Sequence, residues 1–95
     1  MLRRANELFR VIVNEGRARH VSGRMPAALF HDIQDVIDRA RVSDAVLRVV
    51  TESGAPRLLP HPGLTPVALQ QLRNVVGRFN VTQIRAGRFP GKPRH

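Results

Sequence analysis

Apolar positions along this chain change their spacing twice, in the same order each time. Phe9, Val11 and Val13 alternate with Arg10 and Ile12, which is the period of a half-buried strand. Asn14-Glu15-Gly16 supplies a tight turn with glycine where positive φ is needed, and Arg17 to Val21 returns as the partner strand. From Pro26 the spacing lengthens: Leu29, Ile33, Val36/Ile37 and Ala40 recur at helical intervals, with His31, Asp32, Gln34, Asp35, Asp38 and Arg39 on the outer side. The order then repeats. Val46 to Thr51 predicts a β-branched strand, Glu52-Ser53-Gly54 a turn, and Arg57 to Leu59 a short return strand blunted by Pro56 and Pro60. Thr65 is an N-cap before Pro66, and Leu69, Leu72, Val75/Val76 and Phe79 form the buried stripe of a second helix. Past it, Val81-Thr82-Gln83-Ile84 reads as one more short strand.

The repetition extends to residue identity. Arg10-Val11-Ile12-Val13-Asn14-Glu15-Gly16 matches Arg48-Val49-Val50-Thr51-Glu52-Ser53-Gly54, and Gly23-Arg24-Met25-Pro26 matches Gly63-Leu64-Thr65-Pro66. The expected fold is α+β: a duplicated ββα-ββα arrangement in which two hairpins form one four-stranded, mainly antiparallel sheet, with two helices on one face. Residues 1–84 are read as one domain with repeats at about 9–41 and 46–79, and residues 85–95 as a basic, disordered tail. Strand three is apolar on both sides, because Leu47 and Val49 alternate with Val46 and Val50. Ile12, Leu47 and Val49 are therefore assigned to the sheet face that the helices leave open, as an interface for a second copy or another protein.

Charge adds an asymmetry that hydropathy does not show. Up to Glu52 there are nine arginines against seven acids; beyond it stand six arginines, one lysine and no acid. Guanidinium grips phosphate bidentately, so this balance points toward polyanions, while codon bias in a GC-rich genome explains the excess of arginine over lysine. The chain has no cysteine, which excludes a disulfide framework, a thiolate metal site and a thiol nucleophile. No apolar run reaches the length of a membrane span, so a soluble, cytoplasmic protein is expected.

Catalytic chemistry finds few candidates. His20, His31, His61 and His95 fall at no spacing that pairs metal ligands, and Asp32, Asp35 and Asp38 read as a solvated helix face with Arg39 and Arg41 following. Ser22, Ser43 and Ser53 lie outside any nucleophile elbow, and no glycine-rich phosphate loop is present. The expectation is a binding domain without enzymatic activity, catalytic residue, metal, cofactor or evident small-molecule substrate.

The string Gln70-Gln71-Leu72-Arg73-Asn74-Val75-Val76, together with Asn14-Glu15-Gly16, Gly23-x-x-Pro26 and Gly63 before helix two, resembles a family of short bacterial proteins catalogued only as a domain of unknown function. The resemblance spans roughly Phe9 to Phe79. Gln71 stands where that family's string carries arginine. Relatives with this pattern often open with a membrane-spanning segment; none is seen here, so membrane anchoring is not carried over. The resemblance implies domain limits and no mechanism.

Two functional expectations follow. Protein association or self-association is placed first, through Ile12, Leu47 and Val49 on the sheet, with the second helix at Arg73, Asn74 and Arg78 as the functional surface in either case. Nucleic-acid or other polyanion binding is the alternative, through Gln70, Arg73, Asn74 and Arg78 on the second helix and Arg85, Arg88, Lys92 and Arg94 after it. Against the alternative stand the absence of tyrosine and tryptophan, and of any recognised nucleic-acid motif.

Overall fold

The computed structural model describes residues 6–90. Its elements run β1 (Glu7–Asn14), β2 (Arg17–Gly23), α1 (Ala27–Ala40), β3 (Ala45–Glu52), β4 (Ala55–Leu58), α2 (Pro66–Val76) and α3 (Val81–Arg85). The strands form one sheet in the order β2-β1-β3-β4, and all three pairings are antiparallel. The class is thus α+β with a four-stranded antiparallel sheet.

Both hairpins close through two residues with positive φ: Glu15 and Gly16 at 53° and 80°, Ser53 and Gly54 at 54° and 79°. Left-handed conformation at both central positions is the type I′ geometry, whose twist matches that of the flanking strands. The central pairing sets Arg10 opposite Arg48, Phe9 opposite Val49, Val11 opposite Leu47 and Ile12 opposite Val46.

Phe9, Val11 and Val13 of β1, Leu47 and Val49 of β3 and Leu58 of β4 join a single apolar cluster with residues from all three helices. Leu29, Ile33, Val36 and Ile37 come from α1, Ala68, Leu72, Val75 and Val76 from α2, and Ile84 from α3. All helices therefore cover the same face. Among the described residues every fully buried residue is apolar.

This register corrects the assignment of strand three. Leu47 and Val49 are 1% and 0% exposed and belong to the helix-covered core, so neither is part of an open interface. Directly paired residues of an antiparallel ladder point to the same face, and Val11 and Phe9 take these two inward with them. Ile12 does lie on the opposite face, beside Val46, and is half-buried. A strand apolar on both sides gives alternation nothing to choose between, so only the pairing partner decides.

Helix starts follow local chemistry. Thr65 Oγ accepts the Ala68 N–H at 3.1 Å, with Pro66 at the first helical position. Pro26 stands one place earlier relative to its helix, as an N-cap with no side-chain bond to offer. The strand expected at Val81 to Ile84 is instead the short helix α3. Asn80 Oδ1 accepts from Gln83 N–H at 2.7 Å while Gln83 Oε1 accepts from Asn80 N–H at 2.8 Å, a reciprocal capping box that nucleates the turn.

The chain also stays with the domain beyond Ile84. Arg88 and Met25 exchange backbone hydrogen bonds of 3.1 Å in both directions, and a Cβ on Gly87 would run into the Met25 backbone. Arg85 to Arg88 thus packs against the approach to α1 rather than leaving as a tail, while Lys92 and Arg94 lie outside the described residues.

Candidate functional site

On the polar side of α2, Arg73 is engaged by the rest of the fold, while Gln70, Gln71 and Asn74 are exposed. Arg73 directs Nε and one terminal nitrogen at the Leu58 carbonyl, at 3.3 and 3.2 Å, so its guanidinium caps the outer edge of β4. Gln70 donates to Asn74 Oδ1 at 3.0 Å along the helix, and Arg78 reaches Asp32 of α1 at 3.8 Å. The Arg78 side chain is 66% exposed, so that ion pair is a weak, solvent-screened one. Arg85 and Arg88 are exposed at the far end of the chain, near Phe89, whose ring carries the Arg24 guanidinium 4.0 Å from its centroid.

Both sheet edges are closed by side chains. On β2, Gln34 of α1 accepts the Ala18 N–H at 2.8 Å and donates to the Gly16 carbonyl at 3.1 Å, while the His20 ring meets the Ser22 and Gly23 carbonyls at 3.1 and 2.8 Å. On β4, Arg73 takes the Leu58 carbonyl, and Pro56 brings no N–H to the ladder. Edges so occupied offer little template for strand addition.

The sheet face opposite the helices is where cations gather. Arg10 and Arg48 sit opposite one another at its centre; Arg19 pairs with Ile12, Arg17 with Asn14 and Arg57 with Val50. Each of these partners points away from the core cluster, so five arginines from all four strands share one face with Ile12 and Val46. Neither Arg17 nor Arg19 has an ion-pair partner among the described residues. Arg57 meets Glu52 at 3.1 Å in an exposed pair. Val50, 8% exposed, also faces this side and lies outside the main cluster.

Glu7 organises the centre of that face. Its side chain is 6% exposed, and its carboxylate accepts from Arg48 Nε at 2.9 Å and from Arg10 Nε and Nη2, each at 3.4 Å. Burial pushes the carboxyl pKa up, but the hydrogen bonds from Arg48 and Arg10 and their positive charge outweigh it, holding the group below its ordinary 4.5. Among the described residues Arg48 bonds Glu7 through Nε, which leaves the donors of its terminal amino groups for an incoming acceptor. Glu7 thus fixes two adjacent guanidiniums without exhausting them.

Sequence reading singled out none of Arg10, Arg17, Arg19, Arg48 and Arg57. The signal was present: Arg19 follows Arg10 by nine residues and Arg57 follows Arg48 by nine. What was missing was the central register that brings the two halves onto one surface. Among the described residues no group of three or more His, Asp or Glu side chains is placed to hold a metal ion, and no helix is long and apolar enough to cross a membrane.

Fold and surface together define a small α+β domain with an apolar sheet face beneath its helices and an arginine-lined face opposite. The chain belongs to the family described as protein of unknown function (DUF3634), whose model matches residues 1–89, so the family likeness seen in the turns and helix two is borne out. No curated protein and no solved structure matches the chain.

Proposed function

We propose that this domain is a non-enzymatic, cytoplasmic module that binds polyanions, nucleic acid first among them, on the open face of its sheet. The observation that carries the reading is the set of five arginines, drawn from all four strands, on a face where no described helix packs. Clustered guanidiniums gain from counterion release when they meet a phosphate backbone. On helix two, Arg73 is spent on the Leu58 carbonyl, while Arg78 stays exposed beside Asp32.

The same reading takes the two halves as copies of one ββα unit. Matching positive-φ turns support it, as do Gly23 and Gly63. At both glycines a Cβ would strike the backbone at the start of a central strand, Leu8 and Phe9 in one case and Asp44 and Ala45 in the other.

Association with a protein partner is the second reading, favoured by Ile12 and Val46 on the arginine face. Face-to-face pairing of two copies would oppose like charges, so an acidic partner fits better than a homodimer. Fluorescence anisotropy with mixed-sequence DNA at low salt tests the first reading: wild type binds, and Arg17→Glu combined with Arg19→Glu weakens binding. Absence of binding at low salt ends it. Light scattering at high micromolar concentration tests self-association, which a clean monomer rules out.

A further inference from the structure

Four of the five arginines are related by the central pairing itself. Arg10 faces Arg48, and counting outward from that pair, Phe9 meets Val49 while Val11 meets Leu47. A twofold axis between Arg10 and Arg48 therefore exchanges β1 with β3. The same operation carries Arg19, paired with Ile12 on β2, onto Arg57, paired with Val50 on β4. The order across the sheet is Arg19, Arg10, Arg48, Arg57, one per strand, with each outer residue displaced along its strand in the opposite sense. With strands about 4.8 Å apart and about 3.4 Å per residue, successive Cα positions lie about 8, 5 and 8 Å apart, about 20 Å from end to end. Arg17 prolongs the row by roughly 7 Å beyond Arg19.

From this arrangement, and resting on the polyanion reading above, we infer that the arginines form a diagonal track for the phosphodiester backbone of single-stranded nucleic acid. Three features select a single strand. The cations fall in one row rather than in two rows flanking a groove. A duplex groove admits a helix or a two-stranded ribbon, and the face of a four-stranded sheet is too broad to enter it, so a duplex would touch the row at few phosphates. Beside the row, Ile12 and Val46 offer a half-buried apolar shelf against which unstacked bases rest.

The shelf has no aromatic ring, so recognition is sequence-tolerant and dominated by phosphate contacts. The twofold relates Arg10 with Arg48 and Arg19 with Arg57, so the contacts of these four with phosphate do not by themselves set the polarity of the strand. Glu7 is a positioning residue here: by holding Arg48 and Arg10 it sets the central spacing.

The test is fluorescence anisotropy with labelled twelve-nucleotide oligo-dT, a twelve-base-pair duplex and inorganic polyphosphate across a salt series. Circular dichroism checks that each variant is folded. The single strand is expected to bind at least about tenfold more tightly than the duplex. The slope of log K against log salt should be about −3, falling by about 0.7 for each arginine removed. Arg19→Glu with Arg57→Glu should cost at least about tenfold, and Arg78→Glu with Arg85→Glu less than about threefold.

Equal or tighter duplex binding overturns the track while leaving the polyanion reading intact. Losses centred on Arg78 and Arg85 move the site to the helices and also overturn it. Failure of all three probes at low salt removes both inferences together.

Discussion

The two faces of the sheet are built from the same four strands and obey opposite rules. On the helix side Phe9, Val11, Leu47, Val49 and Leu58 pack into one cluster, where a lost methylene is felt at once. On the other side Arg10, Arg19, Arg48 and Arg57 alternate with Ile12 and Val46, and charge rather than volume sets the arrangement. Adjacent residues of one strand therefore differ in kind. Leu47 is a fold residue and Arg48 a surface residue, although the peptide joining them is all that separates them.

That contrast is broken most severely at Leu47. Leu47→Ala should cost about 2–5 kcal/mol through lost contacts and a cavity, whereas Val46→Ala, one residue earlier on the other face, should cost about 1 kcal/mol or less. Urea denaturation of the pair measures the difference, and equal losses would mean that both faces are covered alike. Next in size is Glu7→Ala, which leaves Arg10 and Arg48 side by side without their shared carboxylate and should cost about 1–2 kcal/mol at neutral pH.

The same group gives the arginine face a pH dependence that the apolar face lacks. Because the folded carboxyl is held below its ordinary 4.5, its contribution to stability is complete above that pH and is lost as pH falls through the lower folded value. Denaturation midpoints of the wild type should accordingly decline on acidification below pH 4.5, and Glu7→Gln should flatten that part of the profile. An unchanged profile in the variant would show that Glu7 does not report on this face.

Smaller effects separate arginines that serve the fold from those that do not. Arg73→Ala strips the β4 edge of its cap at the Leu58 carbonyl and should cost about 1 kcal/mol in thermal or chemical denaturation. Arg78→Ala removes only an exposed pair with Asp32 and should stay within about 0.5 kcal/mol of wild type. Reversal of that order would mean that the inter-helix pair, not the edge cap, ties α2 to the domain.

Much of the fold was legible before any coordinates. Two-residue turns with glycine at the second position specified the hairpins, and Thr65-Pro66 specified where α2 begins. Besides the facing of Leu47 and Val49, two features were misread for identifiable reasons. Val81 to Ile84 has the β-branched look of a strand, but Asn80 and Gln83 at a three-residue spacing satisfy each other's backbone and favour a helical turn. Arg85 to Arg88 has the composition of a tail, yet glycine at position 87 lets the backbone approach Met25 closely enough to pair.

The amino-acid sequence by itself determined most of the elements and the class of sheet, because turns, caps and periodicity act within a few residues of one another. It also wrote the Arg10 to Arg19 interval twice. Only the tertiary structure decided which face each strand shows, and so whether Leu47 or Arg48 meets solvent. Pairing of β1 with β3 joins residues 38 positions apart, Arg10 with Arg48, and no local preference encodes that register. It is fixed by the burial of Phe9, Val11, Leu47 and Val49 beneath the helices, since a slip of one residue would turn apolar side chains outward and arginines into the core.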